Sequence, residues 1–440
     1  MIDAYMKNGE LLLRTEGVEK ITPEVIREKY LLPVEAMALH QISIGSEKEA
    51  IAVLRAFGFE LSGKTREILP GLTGGRKGVC SICGRKTGTV PNRAFIFPFE
   101  RKIDSMVDEP NRLSLCLEHA FKLYSAMAYL YVMPLGDHRL KFFFDAPEEV
   151  LRRVQNRFRE FWREHFFVTA RKKGEKTRYS ISTSLTLSRA HPNEAFFAVI
   201  HEFVKFLKNR RLLREVLEEE RLVRAHLVGG SGQFYEHRVI DGTTIEKLMA
   251  FLHSLQEAGK EVQWGRRHLG KRDSAVVLFY ENLEVPKGRD RAKNTLEREE
   301  FIKKLLGGRF DFVLLNRIFM ERLRKKLPLP GYYQTWALMY LKTFGGDVVD
   351  AETFRQVNGL GYILGKKMKG SNLERYLWEL FRARGFEEFL NKLVELQAKV
   401  EESLDLRPIY ENEKEWKVVK AILLNGMLNA LHGGGKGEGS

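Results

Sequence analysis

The chain has 440 residues, 44% hydrophobic and 30% charged, with 73 Lys and Arg against 58 Asp and Glu, a net charge of +15. That apolar fraction excludes a disordered chain, and the length fits two or three domains with ordinary cores. Three cysteines, Cys80, Cys83 and Cys116, exclude a disulfide framework and indicate a reducing compartment.

The opening MIDAYMKNGE lacks a basic segment leading into an apolar one. No apolar run approaches the ~18 residues of a membrane span, so a soluble, cytoplasmic protein without a membrane partner is expected. Glu10 to Leu13 (ELLL) reads as a short strand. Thr22-Pro23-Glu24 reads as a cap with Pro at the first helical position, opening a helix to about Tyr30, and Ser46 caps a second helix through Phe57. Gly71 to Gly78 reads as a flexible or ligand-facing loop, and Ser125 to Leu135 (SAMAYLYVMPL) as a buried helix beside the cysteines.

Leu140 to Phe144 is a predicted strand, followed by a helix from Ala146-Pro147 whose Phe158, Phe161, Trp162 and His165 recur at helical spacing. Tyr179 to Leu187 alternates with period two, as a strand does. Helices are predicted from Asn193 to about Asn209 and on to Glu220, then two strands, Leu222 to Val228 and Gln233 to Ile240, joined by Gly229-Gly230-Ser231-Gly232. A helix from Thr244 to Ala258 and a strand from Ala275 to Tyr280 (AVVLFY) complete this part.

Near Pro286 the texture changes to helices with almost no strand signal, punctuated by Pro328 and Pro330, by Gly345-Gly346 and by Gly359 to Gly370. The expected fold is α+β. A mixed α/β domain over residues 1–290 carries an insertion at 78–132; an all-helical bundle over 291–432 and a disordered tail over 433–440 follow.

The insertion holds the strongest motif. Cys80-Ser81-Ile82-Cys83 is a Cys-x-x-Cys, and Cys116-Leu117-Glu118-His119 downstream is a Cys-x-x-His. A tight turn in each pair puts two donors on one side of an ion, and two pairs complete the closed tetrahedron of a structural zinc site. Gly84 suits the knuckle turn, and Lys77, Arg85 and Lys86 lie where they would offset thiolate charge. Zn2+ held by Cys80, Cys83, Cys116 and His119 is therefore the expected cofactor, in a structural role.

The basic surplus favours polyanionic partners, because a cation on a phosphate releases counterions. Uncompensated basic segments include Arg171 to Arg178, Arg266 to Arg272, Lys287 to Lys293, Arg322 to Lys326 and Lys366 to Lys369. The candidate nucleic-acid contacts are Arg76 and Lys77; Arg171, Lys172 and Lys173; Arg266, Arg267, Lys271 and Arg272; and Lys287, Arg289 and Arg291.

No catalytic motif is complete. His201-Glu202 would need a second histidine where Lys205 stands, and Gly361 to Lys367 (GYILGKK) has neither the glycine spacing nor the Ser or Thr of a phosphate loop. The segment Gly84 to Leu115 has no histidine, as a nuclease with HNH-type knuckles would require. Asp108-Glu109, Asp347 and Asp350 read as surface-loop carboxylates. A binding or assembly subunit is expected in preference to an enzyme. The alternatives are a zinc-containing nuclease with a site assembled from distant residues, and a zinc-stabilised protein scaffold.

The stretch Cys80 to Val132 (CSICGRKTGTVPNRAFIFPFERKIDSMVDEPNRLSLCLEHAFKLYSAMAYLYV) resembles the zinc-binding insertion in large subunits of type I CRISPR surveillance (Cascade) complexes. An α/β part followed by a helical domain resembles their plan over most of the chain. Many members carry two Cys-x-x-Cys pairs, and here the last ligand is His119. The resemblance implies an antiviral-defence subunit that binds the 5′ handle of a guide RNA. It also implies reading a short motif in duplex DNA, contact with single-stranded DNA and other Cascade subunits, and recruitment of a helicase–nuclease.

Overall fold

A computed structural model describes the whole chain except residues 60–66, 75–76, 89–114, 136–137, 174–175, 210–221, 232–233, 259–273, 347 and 433–440. The chain is mixed α+β and divides into two compact units, Met1–Glu246 and Lys247–Ser440. The expected tail, 433–440, and residues 89–114 of the expected insertion lie outside the described residues.

Unit 1 begins with helices α1 (Ile2–Thr15), α2 (Pro23–Lys29), α3 (Leu32–Met37), α4 (Glu47–Ala56) and α5 (Ile68–Thr73). The Glu10 to Leu13 run is thus helix and not strand: Tyr5, Asn8, Leu11 and Leu12 are all buried, at helical spacing. The caps of α2 and α4 follow their sequence signals, with Thr22 Oγ1 accepting from Val25 N at 3.4 Å and Ser46 Oγ from Glu49 N at 3.3 Å. Of the expected loop at Gly71 to Gly78, Gly71 to Thr73 end α5 and Lys77 and Gly78 begin a strand, while 75–76 lie outside the described residues.

Next come a small hairpin, β1 (Lys77–Val79) with β2 (Lys86–Gly88), and helix α6 (Leu117–Ser125). A 3₁₀ turn at Ala126–Tyr129 leads into β3 (Tyr131–Leu135). The Ser125 to Leu135 run is buried, but its second half is a strand. Pro134 is tolerated because β3 is the edge of the sheet, where a missing N–H costs no ladder bond.

β4 (His138–Asp145), helix α7 (Glu148–His165), the hairpin β5 (Phe166–Lys173) with β6 (Lys176–Thr183), helix α8 (Pro192–Asn209), β7 (Arg224–Ser231) and β8 (Phe234–Ile240) complete the unit. The sheet order is β3-β4-β7-β8, with every pairing antiparallel. Its core is aromatic: Tyr131 and Phe142 pack against Phe158 and Trp162 of α7 at centroid distances of 4.5–5.9 Å. A buried polar chain crosses it. The Tyr131 hydroxyl donates to Gln155, Gln155 Nε2 to Asn8 Oδ1 (2.6 Å), and Asn8 Nδ2 to Phe144 O (2.8 Å).

One buried histidine in this sheet sets a pH dependence. His226 on β7 stacks on Phe143 at 4.7 Å, and its Nδ1 lies 3.2 Å from His237 Nε2 on β8. Burial first, and then the neighbouring His237, lowers His226 from the usual histidine range to about 4. The unfolded chain therefore takes up this proton near pH 6.5 while the folded chain still refuses it. Stability from this site is complete above pH 6.5 and is lost as the pH falls towards 4, by about 3 kcal/mol. His226→Phe keeps the stack and is expected to flatten that loss in urea unfolding at pH 7 and pH 4.5. An unchanged pH dependence would refute the assignment.

Unit 2 follows α9 (Gly242–Ala258), a helix that crosses the division between units. Its helices are α10 (Ser274–Glu281), α11 (Arg291–Asn294), α12 (Leu296–Leu305), α13 (Phe312–Arg324), α14 (Tyr333–Phe344), α15 (Ala351–Met368), α16 (Arg375–Arg382), α17 (Phe386–Lys399), α18 (Arg407–Tyr410) and α19 (Trp416–His432). Among the described residues it has no strand. The predicted strand Ala275 to Tyr280 is helical, because the burial of Ala275, Val276, Phe279 and Tyr280 follows the helix period. Trp336 of α14 stacks on Phe279 at 4.4 Å and donates its indole N–H to Ala275 O at 3.0 Å.

Gly359 to Gly370 is likewise no interruption, since α15 runs through to Met368. A Cβ at Gly361 would lie 2.1 Å from Leu423 O, and one at Gly365 2.5 Å from Met427 O, so these glycines let α15 and α19 cross almost backbone to backbone. Among the described residues, no helix is long and apolar enough to cross a membrane.

Candidate metal centre

The β1–β2 hairpin exists to make a knuckle. Lys77 pairs with Gly88 and Val79 with Lys86, and the turn between them holds Cys80 and Cys83. Cys80 N donates to Arg85 O, and Gly84 N donates back to Cys80 O, both at 2.8 Å. Gly84 has φ +71°, the left-handed conformation a glycine reaches without a Cβ clash. The second ligand pair sits on a helix start. Cys116 is the extended residue before α6, and His119, three positions on, lies one turn along the same face.

The four ligand atoms meet. All lie within 4.8 Å of one another. Cys80 Sγ is 3.6 Å from His119 Nδ1, Cys83 Sγ 3.9 Å from Cys116 Sγ, and Cys116 Sγ 3.0 Å from His119 Nδ1. An ion with sulfur at ~2.3 Å and nitrogen at ~2.0 Å in a tetrahedron spaces its ligands about 3.5–3.8 Å apart. The cluster is close to that geometry, and it could hold a metal ion. Three sulfurs and an imidazole suit a soft or borderline divalent ion, and four protein ligands leave no open position for substrate.

The two buried thiols shift in opposite directions. Burial raises the Cys80 thiol, but backbone N–H groups of Cys83, Cys116 and Ile82 bond its sulfur and outweigh burial, bringing it down to about 6. Burial pushes the Cys116 thiol up to about 11; the His119 backbone N–H opposes this and the neighbouring Cys80 adds to it. Cys80 and Cys116 are buried, and Cys83 is exposed. Arg85 does not answer to the thiols alone, because its guanidinium pairs with Glu118 at 3.3 Å.

The helix that carries His119 is anchored to the rest of the unit. A Cβ at Gly9 of α1 would lie 1.7 Å from Lys122 O, so α1 and α6 touch through backbone. Lys122 also reaches Glu10 at 3.0 Å, and the Tyr124 hydroxyl donates to Tyr30 O at 2.6 Å. An ion here would join a short hairpin to a helix already embedded in the core.

The candidate nucleic-acid contacts fall in three groups. Arg76, Arg266, Arg267, Lys271 and Arg272 lie outside the described residues, and Lys77 opens β1. Arg171 and Lys172 are exposed on β5, which ends at Lys173. Lys287, Arg289 and Arg291 are exposed in the loop before α11 and at its first residue. The carboxylates set aside in the sequence have structural partners where they are described. Glu202 accepts from Thr186 N at 3.1 Å and pairs with Lys205 at 2.9 Å; Asp350 Oδ1 caps α15 through Thr353 N at 2.7 Å. His201 is fully buried. Asp108, Glu109 and Asp347 lie outside the described residues.

Arg178 ends one of the basic segments of the sequence but is not among the candidate contacts. It is exposed on β6, directly across the ladder from Arg171. Only the strand register reveals that pairing. Neither a scan against protein-family models nor a search of curated proteins matched this chain.

Proposed function

We propose that this chain is a non-catalytic, zinc-stabilised nucleic-acid-binding subunit of the kind found as the large subunit of type I CRISPR surveillance complexes. In that role it contacts guide RNA and target-flanking duplex DNA, and recruits a helicase–nuclease. The cofactor in this reading is a structural Zn2+ on Cys80, Cys83, Cys116 and His119, the ion best suited to three thiolates and an imidazole in a closed tetrahedron.

The observation that carries the nucleic-acid reading is the β5–β6 ribbon. Arg171 faces Arg178 and Lys172 faces Thr177 across the ladder. Like charges directly opposite one another destabilise a strand pair. Among the described residues no carboxylate pairs with Arg171, Lys172 or Arg178. A phosphate backbone turns that repulsion into binding energy, and a two-stranded ribbon has the dimensions of a major groove.

Purified full-length protein is expected to bind a labelled duplex oligonucleotide with steep salt dependence and no cleavage in any divalent metal. Arg171→Glu with Arg178→Glu is expected to weaken binding at least tenfold at ~100 mM salt. No binding at ~50 mM salt would favour a scaffold for proteins alone, and metal-dependent cleavage lost on one carboxylate substitution would favour a nuclease. The gene neighbourhood tests the choice of assembly: genes for a backbone subunit, a guide-processing endonuclease and a helicase–nuclease are expected nearby.

A further inference from the structure

Two basic segments far apart in the sequence meet in unit 2. The first is Lys287 to Lys293 (KGRDRAK), the second Arg324-Lys325-Lys326 at the end of α13. What joins them is Arg322, only 5% exposed. Its Nε donates to Pro328 O at 2.8 Å, Nη2 to Asn282 Oδ1 at 3.3 Å, and Nη1 to Glu284 O. Lys325 Nζ adds a bond to Pro286 O, directly beside Lys287.

The first segment is held in shape from below. Buried Asn294 accepts from Lys287 N at 2.6 Å, donates to Gly288 O at 3.0 Å, and takes Val285 N on its carbonyl at 2.9 Å. These bonds fix the backbone and leave the side chains outward: Lys287, Arg289, Arg291, Lys293, Arg324, Lys325 and Lys326 are all exposed.

Four nearby acids already have partners. Glu297 pairs with Lys287, Glu321 with Arg324 at 2.9 Å, and Glu281 with Arg298 at 3.3 Å, while Asp290 caps α11 through Ala292 N at 2.9 Å. Among the described residues no carboxylate pairs with Arg289, Arg291, Lys293 or Lys326. Lys326 also has φ +54°, a left-handed position after a helix that glycine would occupy at about 1 kcal/mol less cost. The chain keeps a lysine there.

We infer that this composite surface is a second nucleic-acid contact, in which Arg289, Arg291, Lys293 and Lys326 hold the phosphodiester backbone on a loop that buried Arg322 and Asn294 hold in place. It makes no base-edge readout of its own, so its contribution is independent of sequence. The inference rests on the proposed nucleic-acid function and adds a site to the β5–β6 ribbon.

The test uses the full-length protein and a labelled duplex oligonucleotide of arbitrary sequence, with anisotropy measured from ~50 to ~200 mM salt. Arg289→Ala/Arg291→Ala/Lys293→Ala is expected to reduce the slope of log K against log salt by about 2–3, and to weaken binding on the order of a hundredfold at ~100 mM. The control Arg382→Ala/Arg384→Ala/Lys399→Ala removes the same charge from exposed positions elsewhere in the unit and is expected to leave the slope in place. Both variants should melt like the parent, since every altered side chain is exposed.

A loss confined to the first variant supports the site. Equal losses in both would reduce it to bulk charge and overturn it. Unchanged binding in the first variant, with the Arg171/Arg178 variant still impaired, would overturn this site alone. No binding by the parent protein would remove both it and the reading it rests on. Equal competition by polyglutamate of matched charge would assign the surface to acidic protein and overturn the nucleic-acid inference.

Discussion

Protein purified without added metal is expected to carry about one zinc ion per chain, and Cys80→Ser with Cys83→Ser to lose it. The loss should be severe because of what the ion connects. The hairpin carrying Cys80 and Cys83 has two three-residue strands, too little ladder to be stable alone. The helix carrying His119 is packed through Gly9, Glu10 and Tyr30. Structural zinc in small fingers contributes ~10–16 kcal/mol of binding free energy, most of it folding free energy. Here α6 has its own core contacts, so a fraction of that is at stake. Hydrogen exchange should show protection lost first at 77–88 and then in α6. A stoichiometric protein with no metal and an unchanged hairpin would sink the metal centre.

Gly361→Ala is expected to destabilise unit 2 by about 3 kcal/mol or more, although propensity alone argues the reverse. Replacing a mid-helix glycine with alanine ordinarily gains about 1 kcal/mol. At Gly361 the new methyl would stand 2.1 Å from Leu423 O, and the partner is backbone, which cannot rotate away. Gly426 on the facing helix is equally confined, 2.4 Å from Asn358 O. Overpacking of this kind costs ~1–3 kcal/mol where neighbours can yield, and more where they cannot. Gly359→Ala, two residues earlier with nothing within 4 Å of its Cβ, is the control and should be neutral or stabilising. If denaturant unfolding gives the two variants the same stability, the close crossing is wrong.

Some of this structure was legible in the sequence because it depends on neighbours along the chain. Thr22-Pro23, Ser46 and the Cys-x-x-Cys and Cys-x-x-His pairs act within three or four residues, and each forms the local geometry its spacing implies. Short apolar runs were not legible. ELLL and AVVLFY are compatible with either period, and the surroundings chose helix for both. Gly359 to Gly370 looked like an interruption because glycine weakens an isolated helix; in α15 Gly361 and Gly365 are what allow the contact with α19.

The same division holds for the functional surfaces. Residue types and their short-range spacing were enough to nominate four metal ligands and several basic segments, because ligand pairs and charge density are properties of a few consecutive residues. Tertiary structure alone decided that the two ligand pairs converge, that Arg178 stands opposite Arg171, and that the 287–293 loop lies beside the end of α13. The first depends on the packing of α6 against α1 and the third on one buried guanidinium, contacts between residues distant in the chain that no local pattern encodes. The second depends on the register of one hairpin, which residue types alone do not fix.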